Sequence, residues 1–291
     1  MPHALDRLAM ADRARQAIHL SGLSQREVAA HLGLDETKLS KSLSGVRRLT
    51  ATELFSLATV TGATVQWLLG GEALVSVPPS GSDVQESGQE AHEHSPRQRA
   101  IVEAAWELVA DRGFDEVRVL DIAGRAGVST ATVHHHFPHK RDLFGAALKY
   151  SVKLAFDRQV AWLSDLDDAQ ERLRRLLELQ SPIGAAARQE WSIWVQAWAR
   201  NSVGGRAPDP EYIESYRRWW STVRAAVVDG QTQGCVRPAA PDALADEITS
   251  VLDGYGLKVL TGTLSMAAMR RQMDAYLDRA VFIHVPDKES S

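Results

Sequence analysis

One cysteine, Cys235, stands in a chain of 291 residues. A single thiol cannot close an internal disulfide, so the fold must stand on burial, as expected in a reducing cytoplasm; Cys235 itself reads as a loop residue without a redox role. Long apolar runs are also missing. The longest charge-free stretch, Leu54 to Gly71, is broken by Ser, Thr, Gly and Gln and is too polar to span a bilayer. Asp6, Arg7, Asp12, Arg13 and Arg15 exclude an early apolar export segment, and a cytoplasmic location without membrane contact is expected. No nucleophile–base pair, phosphate loop or metal-spaced cluster is visible, so the chain does not read as an enzyme and implies no cofactor. A basic excess is lacking too. With a net charge of −4, nucleic-acid binding must rest on local patches.

What is present is helical periodicity. Hydrophobic content of 44% and charged content of 24% suit a soluble globular protein, and the length allows two or three domains. The densest information lies between Asp121 and Lys140. Ile122 and Ala126 put an apolar stripe on one short helix, and Gly127 permits a tight turn. Ser129 is placed to cap a second helix, which Pro138 stops. Helix, turn and helix in this order present the second helix to a DNA major groove. From Thr130 to Arg141 there are two basic residues, four histidines and no acid.

A second unit of the same kind lies near the start of the chain. Ser24-Gln25-Arg26-Glu27 is a capping box, Gly33 ends the helix it opens, and Asp35 caps a helix carrying Leu39 and Leu43 inward. Thr37 to Arg48 holds Lys38, Lys41, Arg47 and Arg48 without an acid. Basic residues of this kind attract phosphate, and short polar side chains at helix starts read base edges.

The spacing predicts an all-α protein. Residues 1–74 read as a five-helix domain. Residues 75–96 read as a disordered linker with four acids, several Ser and Gln, and no Lys or Arg before Arg97. Its r.m.s. span, roughly 25 Å, is comparable to the ~34 Å between successive major-groove faces; a passive tether is the plainer reading. Residues 97–144 form a three-helix head. Residues 145–285 form a helical domain, entered through one long helix from Arg141 to about Leu166. Further helices are expected at Ala169–Leu179, Ala185–Asn201, Pro210–Gln231, Pro241–Leu260 and Met266–Phe282.

Ala126-Gly127-Val128-Ser129, Thr132-Val133, Phe137, Lys140 and Leu143, with Ile101, Ala104, Ala105, Leu108, Gly113, Phe114, Val119, Asp121, Ile122 and Ala123 upstream, resemble the DNA-binding head of the tetracycline-repressor (TetR) family. The pattern departs at His134, where Tyr is usual, and at Arg118, where Ser or Thr caps the second helix. The first seventy residues, through Gln25, Val28, Ala29, Leu32-Gly33-Leu34, Leu39-Ser40, Gly45 and Trp67-Leu68-Leu69, resemble a lambda-repressor/Cro-like (XRE-type) domain; Leu43 stands where many members carry Glu.

These resemblances imply a DNA-binding transcriptional regulator, most often a ligand-responsive repressor, acting on a double-stranded operator. Base readers in the second head would be Thr130, Thr132 and His135, with His134, His136 and Lys140 near phosphates. In the first head, Thr37 and Lys41 would face bases, Lys38 would add charge, and Gln25, Ser44 and Arg47 would hold the backbone. Glu36 could accept from a cytosine amino group or repel phosphate. The histidine run does not read as a metal site, because successive helical residues point ~100° apart and Pro138 intervenes before His139. Beside phosphate, such histidines would instead gain protons and strengthen binding at lower pH.

Trp191, Trp194 and Trp198 share one helical face, which suits either core packing or the wall of an apolar pocket for an unknown small-molecule effector. Trp162 and Tyr255 join them as pocket candidates, with Asp253, Glu190 and Arg188 as polar ones. The stripes Leu244, Ile248, Val251, Leu252, Tyr255, Val259 and Met269, Met273, Tyr276, Leu277, Ala280 imply, by the same resemblance, a homodimer through the last two helices. The alternative is a helical interaction protein whose first domain docks a protein partner and whose last domain takes no ligand.

Overall fold

The computed structural model describes residues 2–70, 96–203 and 207–283. Fourteen helices occupy them, and no strand is present among the described residues. The first five are α1 (Pro2–Ser21), α2 (Gln25–Leu32), α3 (Glu36–Leu43), α4 (Ala51–Thr61) and α5 (Val65–Leu69). Next come α6 (Pro96–Arg112), α7 (Val119–Ala126), α8 (Thr130–His136) and α9 (Lys140–Leu163). The last five are α10 (Ala169–Gln180), α11 (Gly184–Ser202), α12 (Pro210–Thr232), α13 (Pro241–Leu260) and α14 (Met266–Ala280). The linker expected over 75–96 lies outside the described residues except for Pro96, which opens α6.

Local chemistry sets the helix starts. At α2, Glu27 accepts from the Ser24 amide (2.8 Å) while the Ser24 hydroxyl accepts from the Glu27 amide (3.2 Å); Thr50 and Glu53 repeat the exchange at α4. Each box satisfies donors that a helix start leaves open. Arg118 offers no side-chain cap, yet Asp121 still accepts from its amide (2.9 Å), so α7 keeps half of a box.

The chain forms two compact units, dividing after Ser164. In the first, α6 to α8 and the start of α9 close around Ile101, Ile122, Val133, Phe137 and Leu148. The five N-terminal helices close around Leu39, Leu57, Val65 and Leu68, and Val160 and Ala161 of α9 belong to that same core. A head carried only on a tether is therefore corrected: α4 and α5 lie directly on α9. The long helix expected from Arg141 to about Leu166 is present as α9, and it lies within the first unit.

The second unit contains α10 to α14. An isolated antiparallel bridge pairs Val236, in the connection between α12 and α13, with Phe282 just after α14, where periodicity alone extends the last helix. Leu244, Ile248, Leu252, Met269 and Leu277 are fully buried within this unit. Val251, Tyr255 and Ala280 of the same stripes are only half-buried. Along one face α13 exposes Ser250, Gly254 and Leu257, and Thr261 continues that face just past its end.

Candidate DNA-facing helices and effector site

α8 is held at both ends and left open along its side. Ser129 accepts from the Thr132 amide (3.1 Å), and the Ser129 and Thr132 hydroxyls lie 2.9 Å apart. Val133 and Phe137 anchor the inner face in the core. His134 and His135 are exposed, while Thr130, Thr132 and His136 are half-buried. Among the described residues no three His, Cys, Asp or Glu side chains are grouped to hold a metal ion. Lys140 differs from expectation: its ammonium donates to the Asp115 carbonyl (3.3 Å) and sits 4.3 Å from the Phe114 ring centre. It clamps the turn before α7 as well as facing the side on which α8 lies.

α3 likewise leaves its polar side open. Asp35 caps it by accepting from the Lys38 amide (2.7 Å), and Thr37, Lys38 and Lys41 are exposed, as is Gln25 at the start of α2. Glu36 lies 3.9 Å from Arg26, an exposed pair of little energetic weight. Ser44 donates to the Lys41 carbonyl (3.1 Å) and ends the helix. Arg47 does not reach outward. Its guanidinium donates twice to Glu53 (2.6 and 2.9 Å) and once to the Ser42 hydroxyl (3.0 Å), which withdraws it from a backbone-holding role. The hydrogen bonds from Arg47 are the main reason the Glu53 carboxyl lies below its usual range.

The second unit gathers rings. Trp191 meets Trp198 edge-on (6.0 Å), and Trp194 meets Tyr212 of α12 (6.1 Å), which in turn lies 6.3 Å from Tyr216. The Trp191 indole donates to the Gln180 carbonyl (2.7 Å). Its ring lies so close to α13 that a Cβ on Gly256 would fall 2.0 Å from it. One turn earlier stands Asp253. Burial alone pushes its carboxyl up to about 7, with no neighbouring cation pulling it back. Burial is also the main reason the Tyr212 and Tyr216 hydroxyls are raised, and the Asp253 charge adds to both.

Of the expected pocket residues, Trp191, Trp194 and Trp198 come together. Trp162 does not join them: it belongs to the first unit, edge-on to Phe55 (5.9 Å). Tyr255 points roughly 200° around α13 from Asp253. Tyr212 and Tyr216 were not foreseen, because they reach the tryptophans from another helix and carry no marker of their own.

Residues 101–147 match the tetR family of bacterial regulatory proteins, and residues 169–281 match the C-terminal domain of BetI-type transcriptional repressors. A protein described as a transcriptional regulator from Saccharomonospora viridis, solved in complex with choline, is 41% identical; the match covers 64% of this chain and 97% of that one, with a TM-score of 0.58. The chain belongs to the TetR family. A TetR-family regulator from Rhodococcus sp. is 26% identical, covering 62% of this chain and 96% of that one, with a TM-score of 0.57. The HTH-type regulator BetI of Yersinia pestis is 32% identical over 108 residues, 35% of this chain; the chain spans about half (54%) of that relative.

Membership of the TetR family places the chain among DNA-binding regulators rather than enzymes. The matches lend no support to the alternative, a helical interaction protein whose first domain docks a protein partner and whose last domain takes no ligand. No described helix is long and apolar enough to cross a membrane. The family matches begin at Ile101, so the five N-terminal helices stand outside both.

Proposed function

We infer that this TetR-family protein is a repressor released from its operator by a quaternary ammonium compound of the choline type. The observation that carries this reading is Asp253, a half-buried carboxylate whose charge is felt by Tyr212 and Tyr216 and which no neighbouring cation pulls back towards its usual range. An aromatic surface with one partly desolvated negative charge suits a cation of large apolar body, because each ring face attracts positive charge and the methyl groups lose little on leaving water. Trp191, Trp194 and Trp198 supply more ring surface, and the 41%-identical relative was solved with choline.

On the DNA side, Thr130, Thr132 and His135 of α8 read bases, while His134, His136 and Lys140 approach phosphates. The chain acts as a homodimer, whose two-fold axis matches a palindromic operator. The exposed face of α13 that carries Ser250, Gly254 and Leu257 is the part of the last two helices we assign to that contact.

The N-terminal helices form a Cro-like second head in which Thr37, Lys38, Lys41, Ser44 and Gln25 face a duplex. Its place on α9 limits which duplex. Asp157, which holds this head, stands 17 residues beyond Lys140 (157 − 140), or about 25 Å along the helix. Head and α8 thus address different stretches of DNA.

Calorimetry with choline and its neutral isostere 3,3-dimethylbutan-1-ol tests the effector reading. Choline is expected to bind at least about tenfold more tightly, the equivalent of ~1.4 kcal/mol. Equal binding of both compounds contradicts it.

A further inference from the structure

The turn from α4 into α5, residues 61–65, is gripped by three side chains from α6 and α9. Asp157 of α9 is fully buried, and its carboxylate accepts from the Val65 amide (2.7 Å). The same carboxylate receives the Lys153 ammonium (2.6 Å), which also donates to the Ala63 carbonyl (2.7 Å). From α6, Arg99 donates to the Thr61 carbonyl (2.6 Å). Its guanidinium lies across Gly62, where an added Cβ would meet it at 2.2 Å.

A buried carboxylate is costly to desolvate and is a poor way to gain stability alone; what it confers is one permitted arrangement. Here it fixes a register. The Val65 amide is the first of α5, a donor that only an acceptor placed at that point can satisfy. The apolar contact around it is less selective, since Val160 and Ala161 can slide along α4 and α5 more cheaply than the polar clasp can re-pair.

α9 starts beside α8 and ends at Leu163, immediately before the second unit begins at Asp165. The chain passes from the DNA-facing head to the effector unit through this helix. The clasp ties it, through the 61–65 turn, to Arg99 on α6. We propose that the N-terminal five-helix module is a brake on α9: seated by Arg99, Lys153 and Asp157, it opposes displacement of α9 against α6 and so raises the effector concentration needed to release the operator.

This rests on the effector reading above, and the test separates the two. In the full-length protein, choline is titrated into a complex with a duplex from the protein's own upstream region. Wild type is compared with Arg99→Ala and with Asp157→Asn, which keeps an acceptor for Val65 but drops the charge facing Lys153. Hydrogen exchange of the Val65 amide reports whether the clasp has opened. Half-release at a choline concentration at least threefold lower, together with faster Val65 exchange, is the expected result. Unchanged half-release in a variant whose Val65 amide exchanges tenfold faster overturns the brake while leaving the effector reading intact. Wild-type complex that does not respond to choline defeats the effector reading and the brake with it. Arg99 lies at the rim of the contact, so Arg99→Ala keeps the test open if Asp157→Asn fails to fold.

Discussion

Asp253 is the residue on which most chemistry turns. Its carboxyl titrates near 7 in the folded chain against 3.8 in the unfolded one, so the folded state holds the proton more tightly. Stability therefore falls as pH rises from about 4 towards 7 and levels off above it. A cation favours the ionised form, so choline, whose charge does not titrate, is expected to bind more tightly at pH 8 than at pH 6. Asp253→Asn should weaken binding and flatten that profile; calorimetry at the two pH values checks both. The residue scale is also where Arg47 changes meaning. Arg47→Ala leaves the Glu53 carboxylate without its main partner and is expected to cost about 1–3 kcal/mol in denaturant unfolding. The salt dependence of DNA binding should stay the same. A shallower salt slope would return Arg47 to the phosphate role that its basic neighbourhood suggests.

At the scale of single elements, helix starts and stops were legible because capping residues act within three or four positions. Ser24, Asp35 and Ser129 all cap as their sequence contexts imply. The tryptophan face of α11 was readable for the same reason, since i, i+3 and i+7 need only one helix. What it packs against was not. Asp253 stood among the polar candidates, but Tyr212, Tyr216 and Gly256 arrive from helices far along the chain, and nothing local announces that meeting. Likewise, the apolar stripes of α13 and α14 could not declare whether their own unit or a partner covers them; the unit buries most of each. Two outcomes belong to this scale. Thr132→Ala, which removes a hydroxyl from the open side of α8, should weaken specific operator binding by about ten- to a hundredfold, with less effect on unrelated DNA. Gly256→Ala drives a methyl into the Trp191 ring and should cost about 1–3 kcal/mol of stability, with choline affinity falling alongside.

For the whole molecule, the order of helices was readable but the seating of the first five on α9 was not. The linker's composition argued for a loose tether, and Asp157 sits in the middle of an otherwise amphipathic helix, where a lone acid usually means solvent. Only with the fold in hand is that carboxylate seen capping a helix 92 residues away in sequence. If the Cro-like head addresses a separate stretch of DNA, the double substitution Lys38→Ala with Lys41→Ala should leave affinity for a short operator unchanged. It should abolish capture of a second labelled duplex on operator-bound protein.

The most direct test of the central claim is release of operator DNA followed by fluorescence anisotropy. Choline and 3,3-dimethylbutan-1-ol are titrated in parallel into wild-type and Asp253→Asn complexes. Choline alone should free the wild-type operator, and the Asp253→Asn complex should need at least about ten times more, in line with the loss of one buried charge contact. Release by the neutral alcohol at matching concentrations, or an Asp253→Asn complex as sensitive as wild type, would contradict the account.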